Sequence, residues 1–239
     1  MLPSRVGIRE LLLPDSATLP PDLEELFQKM LDDLDPFYRE HASQLFQIHR
    51  GARSPPMLLE LSFADEEDPE FVFRAEVKPL SDDKKRSRCN TMKRRLISRC
   101  KGLLEVAPIK SPTSNPLAIT ADQEANLRVE YLHRTVKDFF GNDNVWRSVV
   151  EATKDRFDPY LHLCRSAILQ LKTVVPASLT DTVLWDLVDS CIEYAAKSEE
   201  VGGEAQPDLL DELDQVASQI SAVPGTNVFI SLQRYKKAS

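Results

Sequence analysis

The chain has 239 residues, of which 42% are hydrophobic and 28% charged, so it can bury a globular core without a metal or a disulfide bond. Its net charge of −8 argues against attraction of the whole molecule to nucleic acid or to an anionic membrane. Only seven glycines occur, which disfavours glycine-rich phosphate loops, and no apolar run approaches the ~18 residues that a membrane-spanning helix needs. By default we expect a reducing, cytoplasmic location with no membrane partner.

The first segments of the chain are helical by pattern. Residues 1–20 are predicted to be an N-terminal tail or connector. After Pro20-Pro21, apolar residues recur at helical spacing behind an acidic first turn. Two further helices are predicted, from Pro36 towards Gly51 and from Met57 to Phe63. The acidic run from Asp65 to Glu70 is interpreted as a solvated loop.

The middle of the chain alternates between helical and extended patterns. Four elements are predicted there: a helix at 82–100, a strand at 103–106, a strand at 127–132 and a helix at 133–140. Three prolines make residues 107–126 a flexible loop between the two strands. The order of three helices, strand, loop and strand is that of a winged helix. Residues 21–140 are therefore predicted to form a winged-helix-like domain with a linking helix.

After Gly141 the periodicity is helical throughout, with helices predicted near 145–154, 158–174, 180–199 and 207–222. Residues 141–239 are predicted to form a helical domain with a frayed C-terminus. The predicted fold class is mainly α: a winged-helix-like domain with a small β-hairpin, followed by a helical bundle.

Motifs that carry common enzyme chemistry do not occur in this sequence. It contains no G-x-x-x-x-G-K-[ST] phosphate loop, no G-x-S-x-G and no H-E-x-x-H. Its four cysteines, Cys89, Cys100, Cys164 and Cys191, lack the close spacing of zinc ligands and are predicted to be small buried hydrophobic residues. We expect no enzymatic activity, no metal site and no cofactor bound by the isolated chain.

The helix at 82–100 is the sharpest electrostatic feature, since nine basic residues and no acidic one lie between Lys84 and Lys101. Four of them, Lys84, Arg88, Arg95 and Arg99, fall within about 60° of one another on a helical wheel. In a winged helix that binds DNA, this would be the helix that enters the major groove. The alternative is a basic face paired with an acidic neighbour, such as Asp65–Glu70, or with a partner domain. Because the whole chain is acidic, binding to nucleic acid is not expected.

The four histidines are scattered along the chain. Three of them, His41, His49 and His162, are interpreted as helix-surface or half-buried residues. His133 stands where the second strand turns into a helix, and on its own it is interpreted as a capping or core histidine.

Three blocks of this sequence resemble filamentous-fungal NLR-like proteins, in which a NACHT NTPase module is followed by a winged-helix and helical segment. They are residues 58–65 (LLELSFAD), 98–106 (SRCKGLLEV) and 131–139 (YLHRTVKDF). Residues 20–27 (PPDLEELF) are similar to the linking helix before that segment. The resemblance covers roughly residues 19–215.

The resemblance implies a signalling NTPase of the STAND class, in innate immunity or heterokaryon incompatibility. His133 would then contact the phosphate of ADP when a NACHT NTPase module is present, in cis or in trans. The chain lacks nucleotide-binding loops of its own, so we expect a non-catalytic regulatory or interaction segment, a fragment without its nucleotide-binding module. The alternative is a DNA-binding winged-helix regulator that uses the basic helix 84–101.

Overall fold

A computed structural model describes residues 21–107, 119–153, 157–174 and 180–221. The eleven helices of these residues are α1 (Pro21–Asp32), α2 (Pro36–Gly51), α3 (Leu58–Ala64), α4 (Phe71–Arg74), α5 (Asp82–Arg99), α6 (Ala121–Ala125), α7 (Arg134–Phe140), α8 (Asp143–Glu151), α9 (Pro159–Thr173), α10 (Asp181–Gly202) and α11 (Pro207–Ser221). Two strands, β1 (Leu104–Val106) and β2 (Val129–Tyr131), form an antiparallel pair. The prediction of a mainly α fold with a small hairpin is confirmed. The predicted tail at 1–20 and the frayed end beyond 221 lie outside the described residues.

Several helices begin where the sequence predicts, at side chains that cap the free N–H groups of the first turn. The oxygens of four residues do this: Asp35 before α2, Ser81 before α5, Asp158 before α9 and Thr180 before α10. Asp35, for example, accepts a hydrogen bond of 2.9 Å from the backbone N–H of Phe37. Local sequence therefore determines where these helices begin.

Two helices are absent from the predicted elements. Helix α4 follows the acidic run, and α6 lies inside the predicted loop at 107–126. Helix α6 begins with a capping box, in which Thr120 and Gln123 each bind the other's backbone N–H. The loop prediction is therefore wrong for residues 121–125, whereas residues 108–118 lie outside the described part of the chain.

The hairpin is anchored on both sides. Leu104 pairs with Tyr131 and Val106 with Val129 across the two strands. On the other side of β2, the backbone N–H of Val129 donates to the carbonyl oxygen of Pro56 at 2.8 Å. A two-stranded sheet needs such support, because an isolated hairpin is only marginally stable.

One hydrophobic core runs through the described residues. It joins Phe27 of α1, Leu61 of α3, Leu163 of α9 and Leu213 of α11, each at most 3% exposed. The core continues across the predicted domain boundary after Phe140. The division into two domains stays a prediction. No helix in the described ranges is long and apolar enough to cross a membrane.

Candidate functional site

Helix α7 is held by its apolar side, which leaves its polar side outward. The ring of Phe139 lies 5.6 Å from that of Phe27, and the ring of Phe140 lies 4.7 Å from that of Phe46. Arg134 and Lys137, on the other side of the same short helix, are exposed. Aromatic packing therefore fixes the direction in which the basic side chains of α7 point.

His133 is the N-cap residue of α7. Its Nδ1 accepts a hydrogen bond of 3.3 Å from the backbone N–H of Thr135, in extended backbone with φ −156° and ψ 162°. A neutral imidazole that accepts at Nδ1 carries its proton on Nε2. The capping interpretation of His133 is confirmed, and the same geometry leaves Nε2–H as a hydrogen-bond donor on a half-buried ring.

An open groove of about 510 Å³ lies beside His133. Its charged and polar lining consists of His49, Arg50, Arg53, Ser54, Glu130, Tyr131, His133, Arg134 and Lys137. Four of these side chains are arginine or lysine and one is acidic, although the chain as a whole carries a net charge of −8. We call this site the α7 groove. Its charge favours an anionic ligand or partner surface.

The arginines of the α7 groove are held by neighbouring groups. Arg50 donates from Nη1 to the carbonyl oxygen of Phe140 at 2.9 Å, and its guanidinium carbon lies 4.1 Å from the ring centre of Trp146. Arg53 approaches the carboxylate of Glu193 to 3.1 Å. Arg134 and Asp138 form a looser pair at 3.7 Å within α7.

Lys137 differs from the arginines of the groove, because it forms no ion pair with any described residue. Its ammonium charge nevertheless acts on the imidazole of His49 and lowers the pKa of that ring. Lys137 is exposed and lines the groove, where it adds a positive charge.

His49 lies at the inner side of the groove and is 8% exposed. Its Nε2 is 3.1 Å from the carbonyl oxygen of Val129, and its ring meets that of Tyr131 edge-on at 4.6 Å. Burial, with a smaller contribution from Lys137, lowers the pKa of His49 to about 4. The neutral ring donates to Val129 from Nε2, and its buried Nδ1 has no partner in the described structure. The interpretation of His49 as a surface or half-buried residue is wrong.

The basic stripe of α5 is largely occupied by contacts within the chain. Arg88 binds Glu66 at 2.8 Å, and Arg95 binds Asp65 and, at 3.7 Å, Glu67. Arg99 approaches His41 Nε2 to 3.2 Å and lies over the ring of Tyr38. Lys84 alone among the four stripe residues is exposed without an ion pair to the described residues. The alternative in which this basic face pairs with the acidic run Asp65–Glu70 holds for Arg88 and Arg95.

A second acidic segment holds the other side of α5. Lys85 pairs with Asp122 at 2.6 Å, and Lys93 and Arg86 both pair with Glu124, at 2.5 and 3.4 Å. These acids belong to α6, which lies within the predicted flexible loop at 107–126. The capping box at Thr120 was the local signal that could have found them.

Asp65 is the buried centre of the contact between α3 and α5. Its side chain is 3% exposed and binds both Arg95 and His41. Burial raises its pKa to about 6 in spite of the hydrogen bond from Arg95. The interpretation of the acidic run as a solvated loop is wrong at this residue. Arg88 and Arg95 would have to leave these acids before they could contact DNA phosphates.

A family model described as a domain of unknown function (DUF7791) matches residues 33–182. The match spans well over half of the 239-residue chain. The chain belongs to the DUF7791 family. No curated protein and no solved structure matches it.

The DUF7791 match contains both candidate sites. It begins just before α2 and ends in the first turn of α10, so it includes His133, Lys137 and the whole of α5. The α7 groove and the acid-paired helix α5 are thus parts of the family domain, whereas α11 lies outside the match.

The cysteines of the DUF7791 chain are free thiols, and all four are buried, as predicted. Two of them, Cys164 and Cys191, place their sulfur atoms 3.3 Å apart between α9 and α10. Within the described ranges, no group of three or more histidine, cysteine, aspartate or glutamate side chains is arranged to hold a metal ion.

Proposed function

We propose that this chain is a non-catalytic regulatory segment that docks onto a NACHT-type NTPase module, in cis or in trans. Docking would hold the module in its closed, ADP-bound state and so bias it against the open, ATP-bound state. The observation that carries the proposal is His133, whose Nε2 forms no hydrogen bond with the described residues and which lines a groove with four cationic side chains and one acidic one.

The capping hydrogen bond supports this assignment because it fixes the ring of His133. With Nδ1 bound to the Thr135 N–H, the ring has one direction, and its Nε2 is the nitrogen that can donate to a phosphate oxygen. A hydrogen bond to a charged group is worth roughly 1.5–3 kcal/mol net. Since about 1.4 kcal/mol changes an equilibrium tenfold, this contact alone would shift the closed-to-open ratio by a factor of ten or more.

The remaining features fit a partner surface better than an active site. The groove contains four cationic side chains, which can hold an anion presented by another domain. Four unpaired thiols are consistent with a reducing compartment, so the proposal places the protein in the cytoplasm. Regulation of the NTPase would thus come from docking at the α7 groove.

The test uses two substitutions at His133 in a polypeptide that joins a NACHT NTPase module to this chain. His133→Ala removes both the cap and the Nε2–H donor. His133→Asn retains a good N-cap side chain but lacks the imidazole donor. We expect both variants to release a fluorescent ADP analogue about tenfold faster than the unsubstituted protein, in line with one lost charged hydrogen bond.

Thermal unfolding of the isolated chain provides the control. His133→Ala should lose about 1 kcal/mol of stability through the missing cap, and His133→Asn should stay close to the unsubstituted chain. If His133→Asn releases ADP at the unsubstituted rate, His133 is a helix cap only and the proposal is wrong. The isolated chain itself should neither bind ADP appreciably nor hydrolyse ATP.

A further inference from the structure

The cations of the α7 groove come from two separate parts of the chain. Arg50 lies in the last turn of α2 and Arg53 just after it, whereas Arg134 and Lys137 belong to α7. Apolar side chains, including Tyr131 and Phe140, line the groove as well. Positive charge is therefore spread along an open groove with apolar surface inside it.

Lys137 adds an unpaired positive charge to the α7 groove. Lys137 has no ion pair with the described residues, and its charge acts on the buried ring of His49. Four cationic side chains and one acidic side chain line the groove, so an anionic partner would balance its charge.

From this geometry we infer that the α7 groove binds an acidic segment of a protein partner, with Lys137 as its principal charge contact. The inference rests on the proposed function, because the same face of the chain docks onto the NTPase module. It adds the chemistry of the docking partner, namely carboxylate side chains that pair with Lys137, Arg134 and Arg53.

A polypeptide suits this groove better than a compact anion does. Cations that come from two elements are arranged to meet charges spaced along a chain, and the apolar lining can cover the aliphatic parts of glutamate side chains. Three of the four cations already have partners, namely Phe140, Glu193 and Asp138, so they would contribute at the edge of the contact. Lys137 is free to form a full ion pair.

The test measures binding of a short fluorescent peptide, in which glutamate alternates with alanine, to the isolated chain at low salt. We expect saturable binding that weakens as salt is added, since exposed ion pairs are screened. Lys137→Glu should weaken binding at least tenfold. Lys78→Glu is the matched control: it makes the same charge change at an exposed lysine outside the groove and should leave binding within about twofold of the unsubstituted chain.

Competition identifies the occupant. Inorganic pyrophosphate and ADP should displace the acidic peptide poorly, and a lysine–alanine peptide should not bind. Tighter binding of pyrophosphate than of the acidic peptide would show that the groove takes phosphate and would overturn the inference. Equal losses in Lys137→Glu and Lys78→Glu, or no peptide binding at low salt, would overturn it too. None of these results alters the His133 test, whose readout is ADP release from the joined protein.

Discussion

Burial decides what each histidine of the α7 groove can do. His133 is half-buried and its Nδ1 is used by the helix, so Nε2 is the nitrogen that a partner could contact. His49 is buried against β2 and stays neutral, so its contribution is structural. The position of His133 at a strand–helix junction could be predicted from the sequence. The burial of His49 could not, because it depends on Tyr131 and Val129, which are about eighty positions away.

The free energy of unfolding should depend on pH in a way that reports the titration of His49. Its folded pKa of about 4 lies below the ordinary value of 6.5, so the unfolded chain takes up a proton at a higher pH than the folded chain. Its stabilising contribution is therefore present above pH 6.5 and is lost as the pH falls towards 4. When the pH is lowered from 7 to 5, the free energy of unfolding of His49→Gln should fall by about 2 kcal/mol less than that of the unsubstituted chain.

The measurement is urea unfolding of both proteins at the two pH values. Asp65 acts in the opposite direction, because its raised pKa of about 6 lets the folded state bind a proton first and gain stability as the pH falls. That contribution is common to both proteins and cancels in the comparison. Parallel pH profiles for the two proteins would show that His49 does not titrate as its burial indicates.

Among the helices, α5 shows which features a sequence pattern predicts and which it does not. The cap at Ser81 and the apolar spacing of Cys89, Met92 and Leu96 predict the helix, and the structure confirms both. The same pattern does not reveal which remote segment covers which side. The pairing with Asp65 and Glu66 is one of the alternatives that the sequence leaves open. The pairing with α6 is not among them, because a helix of five residues is too short to show helical periodicity.

The sides of α5 differ more in the ion pairs that they form than in apolar burial. Substitutions at two neighbouring arginines test how much those ion pairs contribute to stability. Arg95→Glu would place a negative charge against the buried Asp65, so we expect a loss of about 3 kcal/mol in the free energy of unfolding. Arg94→Glu makes the same charge change one residue earlier, where the side chain is exposed and hydrogen-bonds, among the described residues, to Thr91 alone. It should cost less than about 0.5 kcal/mol.

Urea midpoints of these two variants separate the alternatives for α5. Equal, small losses would mean that the Asp65 contact contributes little to stability and that the stripe is free for other ligands. A large loss confined to Arg95→Glu would show that the basic face is committed to the chain's own acids. That result would remove the main support for the DNA-binding alternative.

At the scale of the whole molecule, Lys172 binds parts of the chain that are predicted to belong to different domains. It is 2% exposed, and its Nζ donates to the carbonyl oxygens of Val72 and Ala75, each at 2.7 Å. The same group pairs with Glu212 of α11 at 2.7 Å. The helical periodicity of α9 could be predicted, but a lysine within it gives no local sign that it will be buried. The satisfaction of its three donors depends on two other segments of the fold.

A shared core predicts one cooperative unfolding transition for the described residues. Leu61 of α3 and Leu213 of α11 are both buried in the same cluster, although they lie on opposite sides of the predicted boundary after residue 140. Leu61→Ala and Leu213→Ala should each lower stability by about 2–5 kcal/mol, because each leaves a cavity in a packed core. If the core acts as a unit, each variant shifts the whole transition, and fluorescence and circular dichroism give the same midpoint.

Residues 21–140 expressed alone should then lack a cooperative transition, because α9 no longer covers α3. Two resolved transitions, with each variant shifting only its own, would instead establish two independent domains and confirm the boundary that the sequence predicts.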